Sequence, residues 1–285
     1  MADHPRFGPA GVPFSLKMAN ASLPDVPIFL RKQGLDAFEY EAIYWGGKPQ
    51  MKKEDALQLG LKARENDIWL SLHGSYFVNL CTEKEILEAS KKRLIACATA
   101  AEWMNANVVV FHSGFYGRKP KEVAYKSCVD ALRDVVKMMK SLGIKNVKMG
   151  PETMGKLTQL GSLEEVMSIC EEVEQTHLVI DWSHLHARGM GLFRAVQDFC
   201  NIVEKIEKRL GTEAVKNMHC HFSKIEFTDK GERRHHALEE ARYGPSFEML
   251  AKTIVEFKLK PVIISESPLQ DQDATKMRDI LQSLL

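Results

Sequence analysis

Short apolar runs alternate along this chain with longer stretches whose apolar residues return at helical spacing. Residues 35–41, 68–73, 107–112, 147–152, 177–181, 217–222 and 261–266 read as strands, with a weaker one near 6–10. Between 121 and 140, Ala124, Cys128, Ala131, Leu132, Val135 and Met139 fall on one face of a helix. Ser162 and Glu165, ahead of Val166 and Ile169, have the spacing of a reciprocal cap that opens another helix. A helix between two strands returns the chain to its starting end, so consecutive strands run parallel. Eight such units are the number that closes a (β/α)8 TIM barrel. A doubly wound open sheet wants a Gly-x-Gly-x-x-Gly turn after its first strand, and Gly8-Pro9-Ala10-Gly11 is a poor approach to one. The expected fold is therefore α/β, one (β/α)8 TIM barrel domain spanning residues 1–285.

Composition narrows the function. At 45% hydrophobic and 27% charged, the chain has the balance of an ordinary globular protein with a substantial core. No apolar run approaches the roughly 20 residues of a membrane span. Met1-Ala2-Asp3-His4-Pro5 lacks the cationic and apolar stretches of a secretory leader. The six cysteines are far apart, without a Cys-x-x-Cys pair, which suits reduced thiols. A cytoplasmic monomer is expected. Thirty-nine Lys and Arg against 38 Asp and Glu leave a net charge of +1, so any attraction to nucleic acid must come from a local patch.

The polar residues carry the chemistry by where they fall. His73, His112, Glu152, Asp181 and Glu266 end predicted strands, and His184 follows Asp181 by three residues. His219 and His221 lie in the seventh strand, with His235 and His236 in the loop after it. Barrel active sites form at the C-terminal ends of the strands, so these side chains would meet at one mouth. Several carboxylates there would repel one another unless neutralised. Carboxylates mixed with imidazoles are a ligand set for zinc, and also for manganese or iron. Two such ions can activate water and stabilise both the attacking and leaving oxygens of a phosphodiester.

Several segments together resemble the endonuclease IV family. They are Leu72-His73-Gly74-Ser75-Tyr76-Phe77-Val78-Asn79-Leu80, Phe111-His112-Ser113-Gly114 and Glu152-Thr153-Met154-Gly155, followed by the stretch from Asp181 through His184 and Ala187 to Gly189, then Met218-His219 and Ser265-Glu266-Ser267. The match runs in order over nearly the whole chain. Its His-x-Ser-Tyr-x-x-Asn-Leu and Asp-x-x-His-x-x-Ala-x-Gly segments are the specific ones. The resemblance implies a zinc-bearing barrel that cleaves DNA 5′ to abasic sites, leaving a 3′-hydroxyl. It gives His73, His112 and Glu152 to a first zinc. Glu152 would bridge to a second ion held by Asp181, His219 and Glu266, and His184 with His235 would hold a third. Glu152 and Glu266 would fix the nucleophilic water. His219 is preferred to His221 because Met218-His219 and Ser223-Lys224 align without a gap, although alternation points both the same way. His221 is then left to the substrate, with Tyr76 and Asn79, which match positions that contact DNA.

The chain departs from that pattern in two places. Where the third-zinc motif has Asp-x-His, this sequence has Arg233-Arg234-His235, so two ions are expected and the third is left open. Glu226, Asp229 and Glu232 are the nearby acids available to replace the carboxylate, while Arg233 could fork onto a substrate phosphate. The turn after strand two offers Glu39, Glu41, Tyr44 and Trp45 in place of basic residues. Arg118, Lys119, Lys121, Arg188, Arg233 and Arg234 are the cations expected on the mouth side. The alternative enzyme is a metal-dependent sugar isomerase or epimerase of the xylose-isomerase-like barrels, in which Glu39 would line a polyol pocket. A metal-dependent binder of damaged DNA that lacks efficient cleavage is the third reading.

Overall fold

The computed structural model describes residues 4–19 and 21–285, so the start of the segment read for a leader, Met1 to Asp3, lies outside the described residues. Eight parallel strands form the barrel: β1 (Arg6–Pro9), β2 (Ala37–Glu41), β3 (Trp69–His73), β4 (Val108–Phe111), β5 (Lys148–Pro151), β6 (Val179–Asp181), β7 (His219–Phe222) and β10 (Val262–Ser265). Hydrogen bonds join them in the orders β1-β10-β7-β6 and β2-β3-β4-β5. The two halves meet through the parallel bridges Ala10↔Glu39 and Glu152↔Val179, which close the ring. Gly8 makes the β1–β2 seam possible. A Cβ there would lie 1.7 Å from the Ala37 carbonyl oxygen, so only a bare backbone lets the strands approach.

The connecting helices are α1 (Phe14–Met18), α2 (Asp25–Lys32), α3 (Lys53–Glu65), α4 (Lys84–Trp103), α5 (Lys121–Ser141), α6 (Leu163–Glu172), α7 (Trp182–Arg188), α8 (Val196–Leu210), α9 (Thr212–Lys216), α10 (Phe247–Glu256) and α11 (Asp271–Gln282). The whole predicted apolar face of α5 is buried. Ser162 and Glu165 make both hydrogen bonds of the expected cap on α6. Among the described residues no helix is long and apolar enough to cross a membrane. All six cysteines are thiols, five buried and Cys170 half-buried.

The observed strands are shorter than the apolar runs: His112 lies just past the end of β4, and Glu152, just past β5, keeps only an isolated bridge to Val179. The connection from β7 to β10 holds a hairpin that the apolar pattern did not announce: β8 (Lys224–Thr228) paired antiparallel with β9 (Gly231–His236). β8 alternates over only the five residues Lys-Ile-Glu-Phe-Thr, and β9 has no apolar side chain to mark it as a strand.

Alternation sets the site. Cys220 and Phe222 of β7 join the core between barrel and helices, so His219 and His221 take the opposite face, toward the barrel axis. The interior carries small aliphatic clusters, Ala10, Ala37, Val262 and Ile264 on one side and Val108, Val110 and Val179 on the other. The same inward parity continues up the strands to Glu39 and Glu41, His73, His112, Asp181 and Glu266. The candidate ligands occupy the top of the series that fills the barrel.

Candidate metal centre

Glu152 is the hub. Its carboxylate is fully buried, with Oε2 lying 3.4 Å from His73 Nε2 and 3.2 Å from His112 Nε2. Its Oε1 lies 3.3 Å from His184 Nδ1 and 3.2 Å from His221 Nδ1. Glu266 Oε1 approaches the same His221 Nδ1 at 3.1 Å, and its Oε2 lies 3.8 Å from His235 Nε2. Asp181 accepts the His184 backbone N–H through Oδ1 at 2.7 Å, which caps α7 and turns His184 into the mouth.

Four groups of side chains among the described residues are close enough to share a cation: His73, His112 and Glu152; Glu152, Asp181, His221 and Glu266; His184, His235 and Glu266; and, one layer deeper, Glu39 with His73, His221 and Glu266. Several imidazoles have one nitrogen committed elsewhere. His73 Nδ1 donates to the Gly74 carbonyl at 3.0 Å and His184 Nδ1 to the Thr153 carbonyl at 3.0 Å. His235 Nδ1 lies 2.7 Å from the Ser223 hydroxyl, itself a donor to the Lys224 carbonyl. In each ring Nε2 is thereby left as the lone-pair nitrogen.

The electrostatics fit a missing positive charge. Burial, with Glu266 and Glu152 adding to it, pushes the Asp181 carboxyl up to about 8. Burial opposes ionisation of Glu152 as well, but His221 and His112 hold it well below the usual carboxylate range. Burial also works against a charge on His73, yet neighbouring Glu152 outweighs it and raises the imidazole to about 9. Glu152 Oε2 and Asp181 Oδ2 are buried with no hydrogen-bond donor. Buried carboxylate oxygens without donors are what a divalent cation would satisfy.

Not every expected residue joins this cluster. His219 faces inward but two residues deeper, about 6–7 Å down the barrel, where its Nε2 meets Glu39 at 3.0 Å. His221, not His219, is the strand-seven member of the ligand groups; alternation fixes the face of a side chain but not its depth. Arg233 is also misplaced by the sequence reading. It is exposed and paired with Glu226 at 2.8 Å, away from the mouth. Opposite the β8 step Glu226–Phe227, β9 carries Arg234 and Glu232, so Arg233 between them is the extra residue of a bulge. The bulge reverses the parity of β9 and brings Glu232 to the same side as His235. Glu232 Oε2 lies 3.2 Å from His184 Nε2 and accepts the Gly155 N–H at 3.0 Å. A Cβ on Gly155 would fall 2.3 Å from that oxygen, so glycine is required there.

A polar cleft of about 290 Å³ opens over the cluster, lined among others by Tyr76, His112, Phe115, Lys156, His235 and Glu266. Tyr76 is half exposed and stacks on His112 with ring centres 5.5 Å apart. The Asn79 side-chain oxygen instead accepts from the backbone N–H of Cys81 and Phe115, tying two mouth loops together. Fewer cations reach the mouth than expected. Arg188 donates to the carbonyls of Met154, Lys156 and Gln159, and Lys119 pairs with Glu83. Lys156, which no motif singled out, lines the cleft. Glu39 does not, being sealed beneath the ligand layer by Ser71, His219 and His221.

A family model described as a xylose isomerase-like TIM barrel matches residues 29–284. The uncharacterized protein MJ0133 of Methanocaldococcus jannaschii is 36% identical over 94% of this chain and 93% of its own. A probable endonuclease 4 of Persephonella marina is 24% identical over 87% of this chain and 88% of its own. Among solved structures, endonuclease IV from Thermus thermophilus superposes with a TM-score of 0.69 at 18% identity, covering 98% of this chain and 100% of that one. A D-tagatose 3-epimerase-like protein gives 0.67 at 17% identity over 98% and 96%. At such identities the structural likeness is one of fold. The chain belongs to the xylose isomerase-like TIM barrel family, and its resemblance to endonuclease IV is that of a divergent member.

Proposed function

We propose that the protein is a metal-dependent endonuclease that hydrolyses the DNA phosphodiester 5′ to abasic sites, with zinc as its metal. The observation that carries this reading is the position of Glu152. One carboxylate joins the His73/His112 pair to the Asp181/His221/Glu266 set, as a bridge between two cations would. His184, His235 and Glu266 form the set for a third ion, with Glu232 beside His184 at 3.2 Å as its further acid. When bound, divalent cations would activate water and neutralise charge on the attacking and leaving oxygens. The chain's own part is positional. Glu152 and Glu266 fix the reacting centre from below, Tyr76 presents an aromatic face above it, and Lys156 offers a charge to a phosphate.

The sugar isomerase reading loses its pocket residue, because Glu39 is buried below the ligands rather than open to the cleft. A labelled duplex with one abasic site tests the proposal. Incision 5′ to the site that chelator abolishes and zinc restores is the expected result. Binding without incision would instead make the protein a damage binder, and neither binding nor incision would return the case to a small polyol substrate.

A further inference from the structure

Beneath the ligand layer lies a closed group of polar side chains that the proposed chemistry does not use. Glu39 projects inward from β2 with no exposed surface. Its Oε2 accepts from Ser71 Oγ at 2.7 Å, on the neighbouring strand, and lies 3.0 Å from His219 Nε2. Its Oε1 lies 3.0 Å from His221 Nε2, an ion-pair contact, and these two buried atoms have no hydrogen-bond partner. A fold alone would fill this inward position with an apolar residue, as Ala37 does two residues earlier on the same strand. An ionised carboxylate in such a place is costly unless it is paired.

An imidazole offers a lone pair from one nitrogen only when its proton sits on the other. With a cation between His221 Nδ1 and the Glu152 and Glu266 carboxylates, the ring proton would be carried on Nε2, where Glu39 Oε1 lies 3.0 Å away to hold it. His73, His184 and His235 are steadied by neutral oxygens of Gly74, Thr153 and Ser223; His221 is steadied by a carboxylate. We infer that Glu39 is a positioning residue, which fixes the Nε2–H form and the ring orientation of His221 so that Nδ1 faces the cation. Ser71 and His219 clamp Glu39 in turn. A carboxylate behind a ligand imidazole also raises its basicity, and losing such support lowers metal affinity by about 10–100-fold.

This inference rests on the metal centre proposed above, and its test reads metal binding rather than cleavage. Zinc affinity is measured by chelator competition in wild type, Glu39→Gln and Ser71→Ala, with nitrogen-15 NMR of the zinc-loaded proteins reporting which His221 nitrogen carries the proton. Glu39→Gln should weaken one zinc by about 10–100-fold and lose the fixed Nε2–H signature. Ser71→Ala, which removes one clamp and no charge, should weaken the same zinc by about threefold. Equal affinity and an unchanged His221 tautomer in Glu39→Gln would overturn the inference. Should that variant fail to fold, unchanged zinc affinity in Ser71→Ala overturns it instead. A wild type that binds no zinc would remove the metal centre itself, a failure visible before any variant is made.

Discussion

Glu232 and Arg233 are adjacent, and the hairpin geometry predicts that only the first matters to the third cation. The sequence alone puts Arg233 at the carboxylate position, whereas the bulge turns it outward onto Glu226 and places Glu232 3.2 Å from His184. Glu232→Gln keeps an oxygen for the Gly155 N–H and removes the charge. Its cost should fall on the ion shared with His184 and His235, on the order of 10–100-fold in affinity, or about 1.4–2.7 kcal/mol. Arg233→Asp breaks a pair whose arginine is 65% exposed, worth about 0–1 kcal/mol, and should leave metal content unchanged. Deleting Arg233 removes the bulge residue and leaves Glu232-Arg234-His235, in which alternation alone puts both ligands on one face. That deletion should also retain the ion. The assay is metal content after dialysis, with thermal midpoints as a folding check. A third ion gained only in Arg233→Asp, or held equally by Glu232→Gln, would refute the register and restore Arg233 to the site.

The barrel was legible because its strands are buried on both faces and its helices on one, so branched runs and helical stripes alternate. The meeting of the candidate ligands at one mouth was legible for a related reason. His73, His112, Glu152, Asp181 and Glu266 each end an apolar run, and the ends of parallel strands share one face of the barrel. What failed was information that pattern does not hold. Period-2 alternation assigns His219 and His221 the same direction, and choosing between them needs the depth at which β7 sits beside β6 and β10. Residues 232 and 235 have odd spacing, which an unbroken strand sends to opposite faces, so the bulge hid Glu232. Arg188 looks like a phosphate contact until its donors are found on three carbonyl oxygens. The inward direction of Glu39 is readable from alternation, but its sealing under His221 is not.

The remaining expectations follow from charge, packing and the hub. Arg118, Arg234 and Lys156, the last only loosely paired with Glu232 at 3.8 Å, are the cations offered to DNA, so the logarithm of affinity should fall with that of salt at a slope near −3, about 0.9 per phosphate contacted; salt-independent binding would point to another substrate. Gly8→Ala should cost more than the roughly 1–3 kcal/mol of ordinary overpacking, because its Cβ would meet a backbone oxygen at 1.7 Å; an unchanged thermal midpoint would mean the β1–β2 seam is misplaced. Glu152→Gln is the most demanding variant. Nε2 of His73, Nε2 of His112 and Nδ1 of His221 lie 3.2–3.4 Å from the Glu152 oxygens, and an amide would turn an N–H toward one or two of them, where lone pairs are needed for a cation. Both of the ligand groups that share Glu152 should weaken together, whereas His112→Asn or Asp181→Asn should weaken one. Turnover should fall by at least about two orders of magnitude, the low end for losing one electrostatic stabiliser of a transition state. A folded Glu152→Gln protein with two tightly held ions and wild-type turnover would show that the two groups act separately, and the bridging reading of the site would fall with it.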